Sequence, residues 1–387
     1  MKKIGILTHY YQNKNIGGIL QAYALVSFLQ SRGYNAEQIS FNFRIYDKQS
    51  LSIKQKLFPK HITVKEKFIY YLHKLKHILV RCILKDKFAI QNRKFKLFAE
   101  NIDHSPIIYN NLNIKSANEH YDKFIIGSDQ VWNSDFLPHS AYYGEFAAAD
   151  KKVISYASSS NVKKFPIEAE KLFVHKLQRL NAISVREKTL KEYIESVAKR
   201  KAEVVLDPTF LLSPEEWLKI ANLEIIPNKK YIFCYFLGGA CKWHRQIVQA
   251  YAEKYNYEII HLPYIMQTVR SADSILKGQG RYDIGPKEFI TLINNAECIF
   301  TDSFHGLAFS INFGKNFYVF NRDDENGVNS MNARITDTLE MFSLTKRHIK
   351  NKNMILNNKP IDFTNAHKVL EQEKQKSISW LLNALKE

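Results

Sequence analysis

At 387 residues the chain has room for about two to three domains of ~150 residues each. With 45% hydrophobic and 24% charged residues it has an ordinary globular composition, which excludes wholesale disorder and fibrous or coiled-coil repeats, and no stretch reaches the ~18 apolar residues that span a bilayer. The 56 Lys and Arg against 38 Asp and Glu leave a net charge of +18, so the chain is drawn to polyanions: nucleic acid, anionic lipid or phosphorylated substrates.

The opening MKKIGILTHYY turns polar too early for the apolar core of a signal peptide, which points to the cytoplasm. Residues Lys3 to Thr8 read as a strand, Asn13 to Gly18 as a polar loop, Ile19 to Arg32 as a helix ending at Gly33, and Ala36 to Phe43 as a second strand. Leu20, Tyr23, Ala24 and Phe28 form a core-facing stripe on that helix, and the whole is a βαβ unit. Gly17 and Gly18 precede a helix N-terminus, a place that suits an anion, although a simple tight turn explains two glycines equally well.

From Lys48 to Lys96 fourteen Lys and Arg face two acids, and Phe68, Leu72, Leu75, Leu79 and Cys82 recur at helical spacing while Lys67, Lys74, Arg81 and Lys85 lie elsewhere around the helix. This segment reads as a basic helical insertion, at about residues 48–118, in an N-terminal Rossmann-like domain of residues 1–207. Three roles are open to it: a helical roof over the sheet, attachment to an anionic membrane surface, or contact with nucleic acid, the last the least expected.

Short apolar strands return at Lys123 to Gly127, Val153 to Tyr156, Ala182 to Val185 and Glu203 to Leu206, with helices Glu168 to Asn181 and Leu190 to Lys199 between them. After Asp207 and Pro208 the order restarts: strands at Tyr231 to Phe236, Glu258 to Leu262, Cys298 to Thr301 and Asn316 to Phe320 alternate with helices Lys242 to Tyr255, Pro286 to Asn295 and Gly306 to Phe313. This predicts a second Rossmann-like domain over residues 208–364 and a long C-terminal helix within 365–387. Two such halves give an α/β, GT-B-like architecture with an interdomain cleft at the carboxyl ends of the two sheets.

Polar motifs at strand ends are therefore the candidate site. Gly127-Ser128-Asp129-Gln130-Val131-Trp132-Asn133 follows one strand; Asp129, Gln130 and Asn133 suit sugar hydroxyls and Trp132 suits the face of a pyranose, while an Asx-capped loop with Trp132 in the core is the structural alternative. Thr301-Asp302-Ser303-Phe304-His305-Gly306 runs from a strand into a helix, placing His305 at a helix N-terminus, where the imidazole pKa falls and phosphate binds. Asp302 is either a catalytic carboxylate or a cap. Arg186, with Glu187, ends a third strand and suits a carboxylate or phosphate, although an ion pair explains it as well. Gly285-Pro286, with Asp283 ahead, reads as a helix start.

Cys82, Cys234, Cys241 and Cys298 include no C-x-x-C pair and are too sparse for a disulfide framework, so they read as reduced core thiols. No His, Cys or Asp grouping suggests a metal, and no cofactor is expected.

Taken in order, Asn15 to Tyr23 (NIGGILQAY), Gly127 to Asn133 (GSDQVWN), Ser184 to Glu187 (SVRE), Asp207-Pro208, Asp283 to Pro286 and Thr301 to Gly306 (TDSFHG) resemble the polysaccharide pyruvyl transferase family over roughly residues 4–335. The resemblance implies a GT-B-like fold and transfer of pyruvate from phosphoenolpyruvate to a sugar as a cyclic ketal in bacterial surface polysaccharide (exopolysaccharide) synthesis. It implies that Arg186 and His305 hold or activate the donor. Gly17, Gly18, Ser303, Phe304 and Gly306 are further candidates for the donor site, and since ketal formation needs an acid and a base, His305 with Asp302 or Asp129 are the candidates for those roles. The expected acceptor is a sugar or lipid-linked oligosaccharide, met at the cytoplasmic face of the membrane. One departure stands out: family members carry Arg-Leu-His-Gly where this chain has Ser303-Phe304-His305-Gly306, so either Arg281, Arg322 or Arg334 replaces the arginine or the donor differs. A nucleotide-sugar glycosyltransferase is the enzymatic alternative, and a non-catalytic basic membrane- or nucleic-acid-binding protein the other.

Overall fold

The computed structural model describes residues 2–57, 71, 75, 78–161, 163–238, 241–262, 270–322 and 332–386. The first strand, β1 (Lys3–Leu7), is almost wholly buried, as an apolar run inside a parallel sheet must be. Helix α1 (Ile16–Ser31) follows, its first turn capped by the Asn15 side chain, which accepts the Gly17 N–H at 3.1 Å. The sequence suggests one apolar stripe on α1. In fact it is buried on nearly every side, from Ile16 through Gln21 to Leu29, because it lies between the two halves of the molecule.

Strands β2 (Asn35–Gln38), β3 (Lys123–Ile126) and β4 (Lys152–Ser155) complete a parallel sheet in the order β2-β1-β3-β4. Beyond β4, single bridges from Ile154 to Ala182 and Ser158 to Val185 lead to the pair β5 (Ser184–Val185) and β6 (Glu203–Val204), and α4 (Ile167–Leu177) and α5 (Lys188–Ala198) make the crossovers. The strand expected from Ala36 to Phe43 pairs with β1 only as far as Gln38, after which isolated bridges to His104 and Tyr109 take over at the sheet edge.

The second sheet is built from β7 (Tyr231–Tyr235), β8 (Glu258–His261), β9 (Gln279–Gly280), β10 (Cys298–Thr301), β11 (Phe317–Phe320) and β12 (His348–Ile349). Its order is β12-β11-β10-β7-β8-β9, all parallel, so it carries the Rossmann strand order with the switch point between β7 and β10. In the first sheet the corresponding switch point lies between β1 and β3. Between the sheets the chain forms the short α6 (Pro214–Leu218), capped by Ser213 and Glu216. In the second half α7 (Lys242–Tyr255), α8 (Pro286–Asn295), α9 (Phe304–Asn312) and α10 (Ala333–Met341) cover the sheet. Gly285-Pro286 has the structural role its pattern suggests: Pro286 opens α8 and the Glu288 carboxylate accepts the Gly285 N–H at 3.0 Å.

One apolar cluster runs from Ile4 and α1 through Phe289, Leu307 and Phe309 to Leu381, so the halves share a core. The last helix, α11 (Thr364–Lys386), closes it: Ser377 Oγ accepts the Leu206 N–H at 2.8 Å, and Lys123 Nζ donates to the Leu385 carbonyl.

The basic insertion contains α2 (Lys48–Leu57) and α3 (Lys85–Glu100). Helix α3 is a roof, since it buries Phe88, Phe95 and Phe98 and spans both halves. Phe98 packs 5.5 Å from Tyr23, while Lys94 Nζ lies 2.9 Å from Glu288 and Gln91 donates to the Ile284 carbonyl at 3.2 Å. The preceding stripe is not a core face: Leu75 is 59% and Leu79 63% exposed, and Cys82 is exposed too, so it is no core thiol. Phe68, Leu72, Lys67 and Lys74 lie outside the described residues. Among those described, no helix is long and apolar enough to cross a membrane.

Candidate active site between the two sheets

At the first switch point Thr8 Oγ1 donates to the Ser128 carbonyl at 2.7 Å, tying the end of β1 to the loop after β3. That loop turns through left-handed backbone at Gly127 (φ 107°) and Asp129 (φ 67°), and a Cβ on Gly127 would lie 2.5 Å from the Tyr156 carbonyl oxygen, so glycine is required there. The turn delivers the Asp129 carboxylate, nearly buried, to a point 3.6 Å from Arg186 Nη2.

Arg186, leaving β5, is the hub. Its Nη1 donates to Asp207 Oδ2 at 2.7 Å and its Nε to Glu187 Oε1 at 3.2 Å, and its guanidinium carbon sits 4.1 Å from the centre of the Phe304 ring. Burial works against its charge, but Glu187, Asp207 and Asp129 outweigh burial and raise its pKa. Burial pushes up the Asp129 and Asp207 carboxyls as well; nearby Arg186 and His305 win and hold both below the ordinary range. For Glu187 burial prevails over Arg186, so its pKa is raised even though Ser159 Oγ donates to it at 2.5 Å. Of Asp129, Asp207 and Glu187, Glu187 is thus the carboxyl whose pKa is raised.

From the second half comes the turn between β10 and α9. Ser303 caps α9, its Oγ accepting the Gly306 N–H at 3.4 Å, while its own N–H donates to Thr301 Oγ1 at 3.0 Å. His305, in the first turn, is buried with its Nε2 3.8 Å from Asp207 Oδ2, too far for a hydrogen bond, and that nitrogen has no hydrogen-bond partner among the described residues. Burial lowers its pKa to about 4, with Asp207 and Asp129 opposing and Arg186 and Arg334 assisting. A neutral imidazole with an open nitrogen can accept a proton.

Several expectations need correction. Trp132 is fully buried, stacked 5.9 Å from Tyr143 with its Nε1 donating to the Tyr142 carbonyl at 3.0 Å, so it presents no face to a sugar. Asn133 caps the next turn by accepting the Asp135 N–H. Gln130 does reach a cavity beside Asp129. Asp302 accepts the Leu237 N–H at 2.5 Å and the Gly238 N–H at 2.8 Å, which clamps the second switch point and commits its carboxylate to positioning. Ser303 is a cap, Phe304 a platform for Arg186, and Gly306 packs so closely on Thr301 that no Cβ fits, so none of these three offers a side chain to a donor. Gly17 packs against the His305 ring and Gly18 lies near Asn13 and Asp129.

Of the three arginines considered as replacements, Arg281 is paired with Asp283 at 3.0 Å. Arg334 joins the cluster: it is buried, burial together with Arg322 and Arg186 lowers its pKa to about 9, and its charge acts on Asp129 and Glu187. Asp207, Glu187 and His9 belong to the site as well, beyond the residues that the sequence motifs mark as candidates. Asp207 had a signal, the Asp-Pro pair at the linker, whereas nothing in the sequence distinguishes His9 from other histidines. His9 Nε2 lies 3.2 Å from the Gln130 carbonyl and its Nδ1 3.0 Å from the Tyr142 hydroxyl; the carbonyl can only accept, so Nε2 carries the proton and the Tyr142 O–H donates to Nδ1. Among the described residues no group of three His, Cys, Asp or Glu side chains gathers to hold a metal.

Two parallel Rossmann-like sheets, with a buried cluster of histidine, carboxylates and arginine where their carboxyl ends meet, define a GT-B-like fold. The chain belongs to the polysaccharide pyruvyl transferase family, whose sequence model matches residues 15–324. A search of the curated proteins gives no match. Among solved structures, a UDP-GlcNAc 2-epimerase from Neisseria meningitidis bound to UDP-GlcNAc is 13% identical with a TM-score of 0.43, covering 97% of this chain and 100% of its own. The UDP-GlcNAc 2-epimerase of Methanocaldococcus jannaschii is 14% identical with a TM-score of 0.47, covering 96% and 92%. MurG of Acinetobacter baumannii is 9% identical with a TM-score of 0.43, covering 99% and 100%. Likenesses this distant carry no functional argument, and the fold assignment rests on the strand orders.

Proposed function

We propose that the protein transfers pyruvate from phosphoenolpyruvate to two hydroxyls of a sugar, forming a cyclic ketal in surface polysaccharide synthesis. The observation that supports this reading most directly is convergence: Gly17, Asp129, Arg186, Asp207 and His305, drawn from five separate family motifs, meet in one buried cluster.

The reaction needs one proton delivered to the methylene carbon of the donor, which leaves an oxocarbenium-like centre at C2. One sugar hydroxyl then attacks C2, the C2–O bond to phosphate breaks, and the second hydroxyl attacks. The two hydroxyls release two protons; one replaces the proton given to the methylene carbon and the other goes to the departing phosphate. His305 Nε2, neutral and open, accepts a hydroxyl proton, and Glu187, the carboxylate whose pKa burial raises, relays a proton to the methylene carbon. Arg186, held by Asp207 and Glu187 and 3.6 Å from Asp129, orients the cluster, and the buried Arg334 guanidinium, whose charge acts on Asp129 and Glu187, adds positive charge beside the donor's carboxylate and phosphate.

The test is direct. Phosphoenolpyruvate should raise the melting temperature where UDP-sugars do not, and incubation with a sugar acceptor should yield inorganic phosphate and a pyruvyl ketal in equal amounts. Stabilisation by UDP-sugars alone would favour a glycosyltransferase.

A further inference from the structure

A cavity of roughly 400 Å³ opens beside Asp129, at the carboxyl ends of β1 and β3. Its inner wall is aromatic: the His9 and Phe136 rings are 4.2 Å apart, and Phe43 stands edge-on to Phe136 at 5.2 Å. His9 is fixed there, since both ring nitrogens are engaged by the Gln130 carbonyl and the Tyr142 hydroxyl, and burial lowers its pKa to about 4. The outer wall is cationic. Lys14, Arg44 and Arg81 line it from three separate segments, all exposed, while Asp129 is the only carboxylate among the described lining residues and faces Arg186. Arg44 is braced by Gln12 at 3.3 Å and by the Phe43 ring, 5.8 Å away. Burial, then Arg81 and Arg44, depress the pKa of Lys14, so the three cations are close enough to repel one another.

We infer that this cavity is an acceptor subsite for a saccharide bearing a phosphate or diphosphate group, with the sugar ring on His9, Phe43 and Phe136 and the phosphate at Lys14, Arg44 and Arg81. The inference rests on the pyruvyl transfer proposed above. The cavity has more room than a three-carbon donor needs. Its aromatic wall suits the C–H faces of a pyranose, which phosphoenolpyruvate lacks. The sugar hydroxyls then lie toward Asp129, and the anionic substituent points out to where the exposed cations gather.

Calorimetry on the full chain, saturated with phosphoenolpyruvate, tests this with glucose 1-phosphate and methyl glucoside as matched probes. The phosphate-bearing probe should bind about ten- to a hundredfold more tightly, a preference that Arg44→Glu with Arg81→Glu removes while phosphoenolpyruvate affinity stays unchanged. Equal binding of the two probes overturns the inference. So does loss of phosphoenolpyruvate affinity in the double variant, which would make these cations the donor's phosphate site. Failure of pyruvate transfer with the phosphate preference intact would count against the proposed reaction alone. Given that preference, cosedimentation with phosphatidylcholine vesicles carrying polyprenyl phosphate, abolished by the double variant, assigns the phosphate to a lipid carrier; no cosedimentation assigns it to a free sugar phosphate.

Discussion

Gly17 and His305 touch across the cleft so closely that a Cβ on Gly17 would lie 2.0 Å from the imidazole Nδ1. The first turns of α1 and α9 therefore meet only because residue 17 has no side chain. Gly17→Ala should displace the imidazole and cut turnover about a hundredfold, since an error near 1 Å in a catalytic group costs about that much. Steady-state kinetics beside an unchanged circular dichroism spectrum would check it, and wild-type turnover would show that His305 tolerates the shift.

His305→Gln keeps the size and polarity of the side chain but removes the base, so turnover should fall by about 10² to 10⁴. Wild-type activity in this variant would leave His305 a packing residue.

The lowered pKa of His305 makes a statement about acid stability. Between its ordinary value of 6.5 and about 4, the unfolded chain takes up a proton that the folded protein refuses. Its contribution is complete above pH 6.5 and lost as pH falls toward 4, on the order of 3 kcal/mol in all. Urea midpoints should drop between pH 7.5 and pH 4.5, and drop less in His305→Gln. The same depression keeps the base ready, so kcat/KM should hold well below pH 6.5; an acid limb centred near 6.5 would contradict the burial of this imidazole.

Arg186→Ala should be felt first as stability. It leaves Asp207, Glu187 and Asp129 buried without their partner, a loss of about 3 to 5 kcal/mol. Denaturant unfolding would register it, and a variant as stable as wild type would remove Arg186 from its structural role.

Trp132→Ala should cost about 3 to 5 kcal/mol by leaving a cavity beside Tyr143 and Phe173. Acceptor affinity in the folded fraction should be unchanged, whereas a selective loss of acceptor binding would return Trp132 to the cleft.

The sequence alone determined the two-sheet architecture, because parallel strands buried on both faces must be short and apolar, as in Tyr231–Tyr235 and Cys298–Thr301, and helices must separate them. It also located the strand ends that carry polar residues, because ligand sites of such sheets lie there. Which side chains face the cleft was left to the tertiary structure. Trp132 turns into the core, Ser303 closes a helix and Asp302 clamps a switch point, because direction at a strand end depends on a turn of a few residues and on what packs behind it. Arg186 becomes a hub only when folding brings Asp207 to 2.7 Å, and His305 becomes a neutral base only when α1 and α9 close water away from it. Burial and charge pairing set those properties, and both arise between residues far apart in the chain.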